Sequence, residues 1–247
     1  MSIRSINWKH AAKAVCLVLA LSAVNVFAES AGGGEKKHAS FLDTAMEAGF
    51  VEYVLLLVSI AGFALALQAL VQIRAHLLRP PELATELQDL LREGNLEGAF
   101  DVAQGDGSFL GTVALATLSN AQYGKEAMDS AMSDVGEVET NKLMNKIGTL
   151  NLIAAIAPML GLTGTTVGMI ETFTAMSAGG AEITADKMAK GISIALICTF
   201  TGLIVAIPLL VCAFFLKARV TQIVSEVSND CNEMIRIVTS GEQPAEG

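Results

Sequence analysis

The chain has 247 residues, 52% of them hydrophobic and 17% charged, with a positive mean hydropathy. That is more apolar surface than one soluble core can hide, which indicates a membrane protein. A net charge of −9 without a cluster of Lys and Arg excludes a nucleic-acid surface, which needs cations to displace phosphate counterions.

Residues 1–28 begin with Arg4, Lys9, His10 and Lys13, continue through apolar Ala14 to Val24, and end in Val26-Phe27-Ala28. This is the pattern of a cleaved secretory signal peptide. An uncleaved membrane helix is the weaker reading, because the apolar run is about half of the ~20 residues that crossing requires. Residues 29–50 form a polar, periplasmic linker with a flexible Gly32-Gly33-Gly34.

The first span is expected over residues 51–73, free of charge after Glu52. Arg74, His76 and Arg79 follow it and place that end in the cytoplasm, in agreement with the signal peptide. Residues 74–146 read as a helical cytoplasmic region. Pro80-Pro81 breaks the chain, and Leu83, Leu87, Leu90 and Leu91 mark a one-sided helix that ends at Gly94-Asn95. Beyond it the periodicity is patchy, and only helical character is expected.

Lys142 and Lys146 precede a second span at 147–170, a polar periplasmic hairpin at 171–190 follows, and a third span covers 191–216. Lys217 and Arg219 close the third span on the cytoplasmic side, against a weaker opposing signal from Lys187 and Lys190. Residues 217–247 form a cytoplasmic tail that extends the helix and then frays near Pro244. The expected fold is all-α: a polytopic membrane protein with three transmembrane helices and a helical cytoplasmic region.

Cys16, Cys198, Cys212 and Cys231 are widely spaced and read as small hydrophobes. His10, His38 and His76 have no acid or thiol at ligand spacing, so neither a metal site nor a cofactor site is expected. No Ser/His/Asp set or phosphate loop stands out, and the chain is not expected to be an enzyme with catalytic residues.

The second and third spans carry more than a lipid anchor needs. Gly161, Thr165, Gly168 and Thr172 share one helical face, and Ala195, Thr199, Gly202 and Ala206 share another. Two readings are open: a weakly polar pore wall, or close helix packing with the hydroxyls bonded back to the preceding turn.

Residues 157–169 read APMLGLTGTTVGM and residues 191–208 read GISIALICTFTGLIVAIP. This pair of blocks, APxxGLxGTxxGM and GIxxALxxTxxGLxxAIP, resembles the MotA/TolQ/ExbB proton channel family and is nearest to its ExbB branch. The resemblance covers roughly the last two spans. It implies a stator subunit of the cell inner membrane, assembled as a homopentamer in membrane lipid around an ExbD/TolR-like single-span partner. On the periplasmic side it implies a TonB-like transducer. Thr165 and Thr199 match the family's pore-facing threonines, and Pro158 and Pro208 its helix-shaping prolines. The proton-carrying carboxylate is implied to be the partner's aspartate.

One departure stands out. Five residues before the pore threonine of the last span the ExbB and TolQ branches carry a glutamate, and this chain has Ile194. Glu171, at the outer end of the second span, could assist proton access, although a solvated loop cap is the stronger reading there. No acid is expected in the interior of any span, so the wall is expected to support a partner's carboxylate without relaying protons alone.

Overall fold

The computed structural model describes residues 50–177 and 185–240. The expected signal peptide, most of the linker and Cys16 lie outside the described residues. Every regular element among the described residues is helical: α1 Phe50–Gln72, α2 Ala75–Leu78, α3 Pro81–Arg92, α4 Leu96–Gly105, α5 Phe109–Ser119, a 3-10 turn at Ala121–Tyr123, α6 Lys125–Ser177 and α7 Ala185–Ser240. The fold is all-α, as the apolar periodicity requires. Three of these helices are long and apolar enough to cross a membrane: α1, α6 within Lys125–Thr174, and α7 within Gly191–Ser240.

The described residues belong to two compact units. One comprises residues 50–66 with 149–177 and 185–214, and the other residues 67–148 with 215–240.

The second unit is built like a soluble core. Pro81 starts α3 at its first turn, where the missing N–H costs nothing and the fixed φ suits a helix. Leu83, Leu87 and Leu91 are buried on one face of α3, while Leu90 is partly buried. Gly94 ends the helix with φ +75°, a left-handed conformation that a side chain would strain. Asn95 then caps α4 by accepting a hydrogen bond from the Gly98 N–H at 2.8 Å, and Ser108 caps α5 by accepting from Gly111 at 3.1 Å. These caps divide residues 95–146, where the sequence pattern alone resolves no separate helices. Leu110, Val113, Ala114 and Leu118 of α5 pack at the centre of the core, with Met128 of α6 and Val227, Cys231 and Met234 of α7.

Arg79 is anchored in this unit. Its Nε and Nη2 donate to Asp230 Oδ2 and Oδ1 at 2.6 and 3.0 Å, a two-pronged pair with Glu226 at 3.8 Å. The Asp230 hydrogen bonds hold the guanidinium pKa above its ordinary value, against the opposing effect of partial burial. A cation that reads in the sequence as a flank of the first span therefore also ties α7 to the chain that follows α1. Lys146, another flanking cation, donates to Gln72 Oε1 at 2.8 Å.

The first unit buries Leu55, Leu150 and Leu209 as well, but it differs in the small residues around them and in what it leaves exposed. Its buried positions include Ala66, Ala154, Ala157, Ala195, Cys198 and Ala206, whereas Leu56, Leu57, Ile60, Leu162, Ile170, Leu196, Phe200 and Ile207 are exposed. A run of large exposed apolar side chains on three long helices is compatible with a hydrocarbon surround and not with water. Within the polar segment 171–190, helix α6 continues to Ser177 and α7 starts at Ala185; residues 178–184 lie outside the described ones.

Candidate functional site

The site is assembled from α6 and α7 because their small residues allow the two backbones to meet. A Cβ added at Gly161 would lie 2.7 Å from the Cys198 carbonyl oxygen and 3.0 Å from Thr199 Cα. At Gly202 it would lie 2.7 Å from the Ala157 oxygen, with Pro158 Cα and Gly161 Cα both at 3.3 Å, and at Gly168 it would meet Ala195 Cβ at 3.2 Å. Gly161, Gly168, Ala195 and Gly202 therefore face one another across a helix–helix contact, where only hydrogen or a single methyl fits.

Pro158 and Pro208 both lie inside continuous helices. Each lacks an N–H and so releases the carbonyl one turn earlier, that of Ala154 and of Ile204. Neither ends its helix.

The hydroxyls are arranged in two ways. Thr165 donates to the Leu162 carbonyl at 2.6 Å, Thr163 to Met159 at 2.9 Å, Thr172 to Gly168 at 2.7 Å and Thr201 to Ile197 at 3.0 Å, all within their own helices. Thr199 instead crosses between helices, donating to the Gly161 carbonyl at 3.4 Å, the long end of a hydrogen bond. Each back-bonded hydroxyl keeps oxygen lone pairs that can accept from a visiting donor. Thr165 and Thr199 are both half-buried. Glu171 is exposed.

The structure corrects one expectation from the sequence. Against the expectation of no acid inside a span, Glu52 at the start of the first span is buried, 9% exposed. Its carboxyl faces the Cys198 thiol and the Thr201 hydroxyl of α7, and its Oε2 is buried without a hydrogen-bond partner. Gly164 makes room for this approach: a Cβ there would lie 3.0 Å from Cys198 Sγ and 3.3 Å from Val51 Cγ1. An acid does stand among the helices of this unit, and it is supplied by α1. The signal that finds it is the stripe Glu52, Leu55, Ser59, Gly62, Ala66, Ala69, spaced alternately by three and four residues. That spacing places Glu52 on the packed face of α1, where a Cβ at Gly62 would meet Leu209 Cδ1 at 2.7 Å and Ile153 Cγ2 at 3.0 Å.

Three membrane-length helices, two of them locked by a glycine contact, define a polytopic membrane protein. The profile of the MotA/TolQ/ExbB proton channel family matches residues 106–229, just over half of the chain, and the chain belongs to that family. A biopolymer transport protein ExbB homolog of Methanothermobacter thermautotrophicus is 28% identical over 209 residues, 81% of this chain and 71% of that protein. The Tol-Pal system protein TolQ of Haemophilus influenzae is 35% identical over 112 residues, 45% of this chain and 47% of its own length. Biopolymer transport protein exbB1 of Vibrio cholerae is 32% identical over 91 residues, 37% of this chain and 40% of that one. Glu52 lies outside the family match.

Proposed function

We propose that the chain is an ExbB/TolQ-like proton channel subunit of the cell inner membrane that couples proton-motive force to transport or envelope work. In this reading a homopentamer surrounds the single membrane helix of an ExbD/TolR-like partner, with a TonB-like transducer on the periplasmic side and the second unit in the cytoplasm. The observation that carries it is the locked α6–α7 pair: the Gly161–Thr199 and Gly202–Ala157 contacts fall within the two motif blocks, which also hold Thr165. The large exposed apolar side chains on all three long helices supply surface for lipid and for sister subunits.

The two threonines would hydrate the partner's carboxylate and pass its proton on. Thr165→Ala and Thr199→Ala are expected to lower proton uptake by vesicles carrying the complex at least several-fold, with the assembly intact by size. Unchanged uptake in both variants sinks the pore assignment.

A second reading, a membrane scaffold of the same fold without proton coupling, is favoured by one observation: Ile194 brings no acid to α7. Wild-type complex that moves no protons, while Ile194→Glu does, would establish it.

A further inference from the structure

The channel reading assigns the proton-carrying carboxylate to a partner and leaves Glu52 without a role. Depth is the first reason to give it one. Glu52 meets α7 at Cys198 and Thr201. Thr201 stands 11 residues after Lys190 and 16 residues before Lys217, the charged residues that bound the apolar run. At ~1.5 Å per residue these offsets are about 16 and about 24 Å along the helix. A hydrocarbon core ~30 Å thick between those charges contains Thr201, and Glu52 with it.

Hydrogen-bond chemistry is the second reason. An ionised carboxylate accepts only, with about four lone-pair sites to fill. Here it has little to accept from. The Thr201 hydroxyl has the Ile197 carbonyl within reach at 3.0 Å, and with its proton there it offers lone pairs to Glu52. The Cys198 thiol is a weak donor, and Oε2 has no partner. The titratable group beside the carboxyl is the Cys198 thiol. A neutral carboxylic acid fits the same surroundings: its O–H supplies the hydrogen missing between two oxygens, and it removes a charge that hydrocarbon penalises by several kcal/mol.

We infer that Glu52 is a proton-binding site of this chain, lying among α1, α6 and α7, which holds its proton against the Thr201 oxygen and exchanges it with water. On release the O–H bond breaks, the electron pair stays on the carboxylate and the proton passes to a water molecule; loading reverses this. The inference deepens the proposed channel function by adding a carboxyl from the subunit wall to the one expected of the partner.

The test uses the full chain in lipid vesicles, with and without its partner. A hydrophobic carbodiimide, which adds to protonated carboxyls in apolar surroundings, is followed by mass spectrometry of the Glu52 peptide. Glu52 is expected to be labelled, at a rate that falls about tenfold per pH unit once the midpoint is passed, and sodium at fixed pH is expected to leave the rate unchanged. Glu52→Gln keeps the shape and an N–H for Thr201, and it is expected to lose the label and lower proton uptake several-fold while assembling normally.

Glu52 left unlabelled, or labelled independently of pH, in a complex that still moves protons overturns the inference and spares the channel reading. Labelling suppressed by sodium overturns it in favour of a metal-cation site. A pH-dependent label in a complex that moves no protons keeps the proton site and removes the channel reading. Because labelling is read on the wild-type chain, the result does not depend on any variant folding.

Discussion

The two units differ in how their helices meet and in what they leave exposed. In the second unit the interior is Leu87, Leu110, Met128, Val227 and Met234, large side chains taken out of water. In the first unit the closest contacts are at Gly62, Gly161, Gly164 and Gly202, while Leu162, Leu196, Phe200 and Ile207 are exposed. The difference teaches what holds each together. Water drives large apolar groups inward in the second unit, whereas lipid tails are as apolar as Leu and give no such drive, leaving van der Waals contact between close backbones.

Removing side-chain volume should therefore hurt at the large interior positions of the second unit, and adding it should hurt at the glycine contacts of the first. The largest effect is expected for Leu110→Ala, whose side chain is fully buried in the second unit. The cavity should cost about 2–5 kcal/mol, read as lost hydrogen-exchange protection in α5 and a lower unfolding temperature. A smaller loss, about 1–3 kcal/mol from overpacking, is expected for Gly202→Ala, whose methyl must push against the Ala157 carbonyl. Crosslinking between cysteines placed on α6 and α7 should report a widened contact, and an unchanged yield would break the comparison.

The smallest effect concerns pH. Burial, and secondarily the neighbouring Asp230, push the Cys231 thiol from 9.0 up to about 12. A raised thiol pKa means that the unfolded chain gives up its proton first as pH rises. The stabilisation from keeping Cys231 neutral is complete below pH 9 and is lost progressively between 9 and about 12. Cys231 should resist maleimide at neutral pH in the folded chain and react once it is unfolded; fast labelling of the native protein would contradict the burial that defines this core.

Much of this architecture is legible in the sequence, for reasons specific to each element. The spans are apolar runs long enough to cross, and length along one helix is a property of one segment. The α3 stripe is legible because Leu83, Leu87 and Leu91 repeat every four residues. The motif blocks in α6 and α7 carry the family. The boundaries of α4 and α5 are less legible, since they rest on single capping side chains, Asn95 and Ser108, in a patchy pattern.

Composition and hydropathy by themselves determined that the protein lives in a membrane and which three described segments are long and apolar enough to cross it, because transfer of apolar side chains to hydrocarbon is nearly additive along the chain. Tertiary structure alone decided that the glycines of α6 and α7 meet one another, and that the neighbours of Glu52 are Cys198 and Thr201. Those facts depend on the register between helices distant in sequence. An acid beside an apolar run is a flank or a membrane-embedded site according to which neighbour lies beside it.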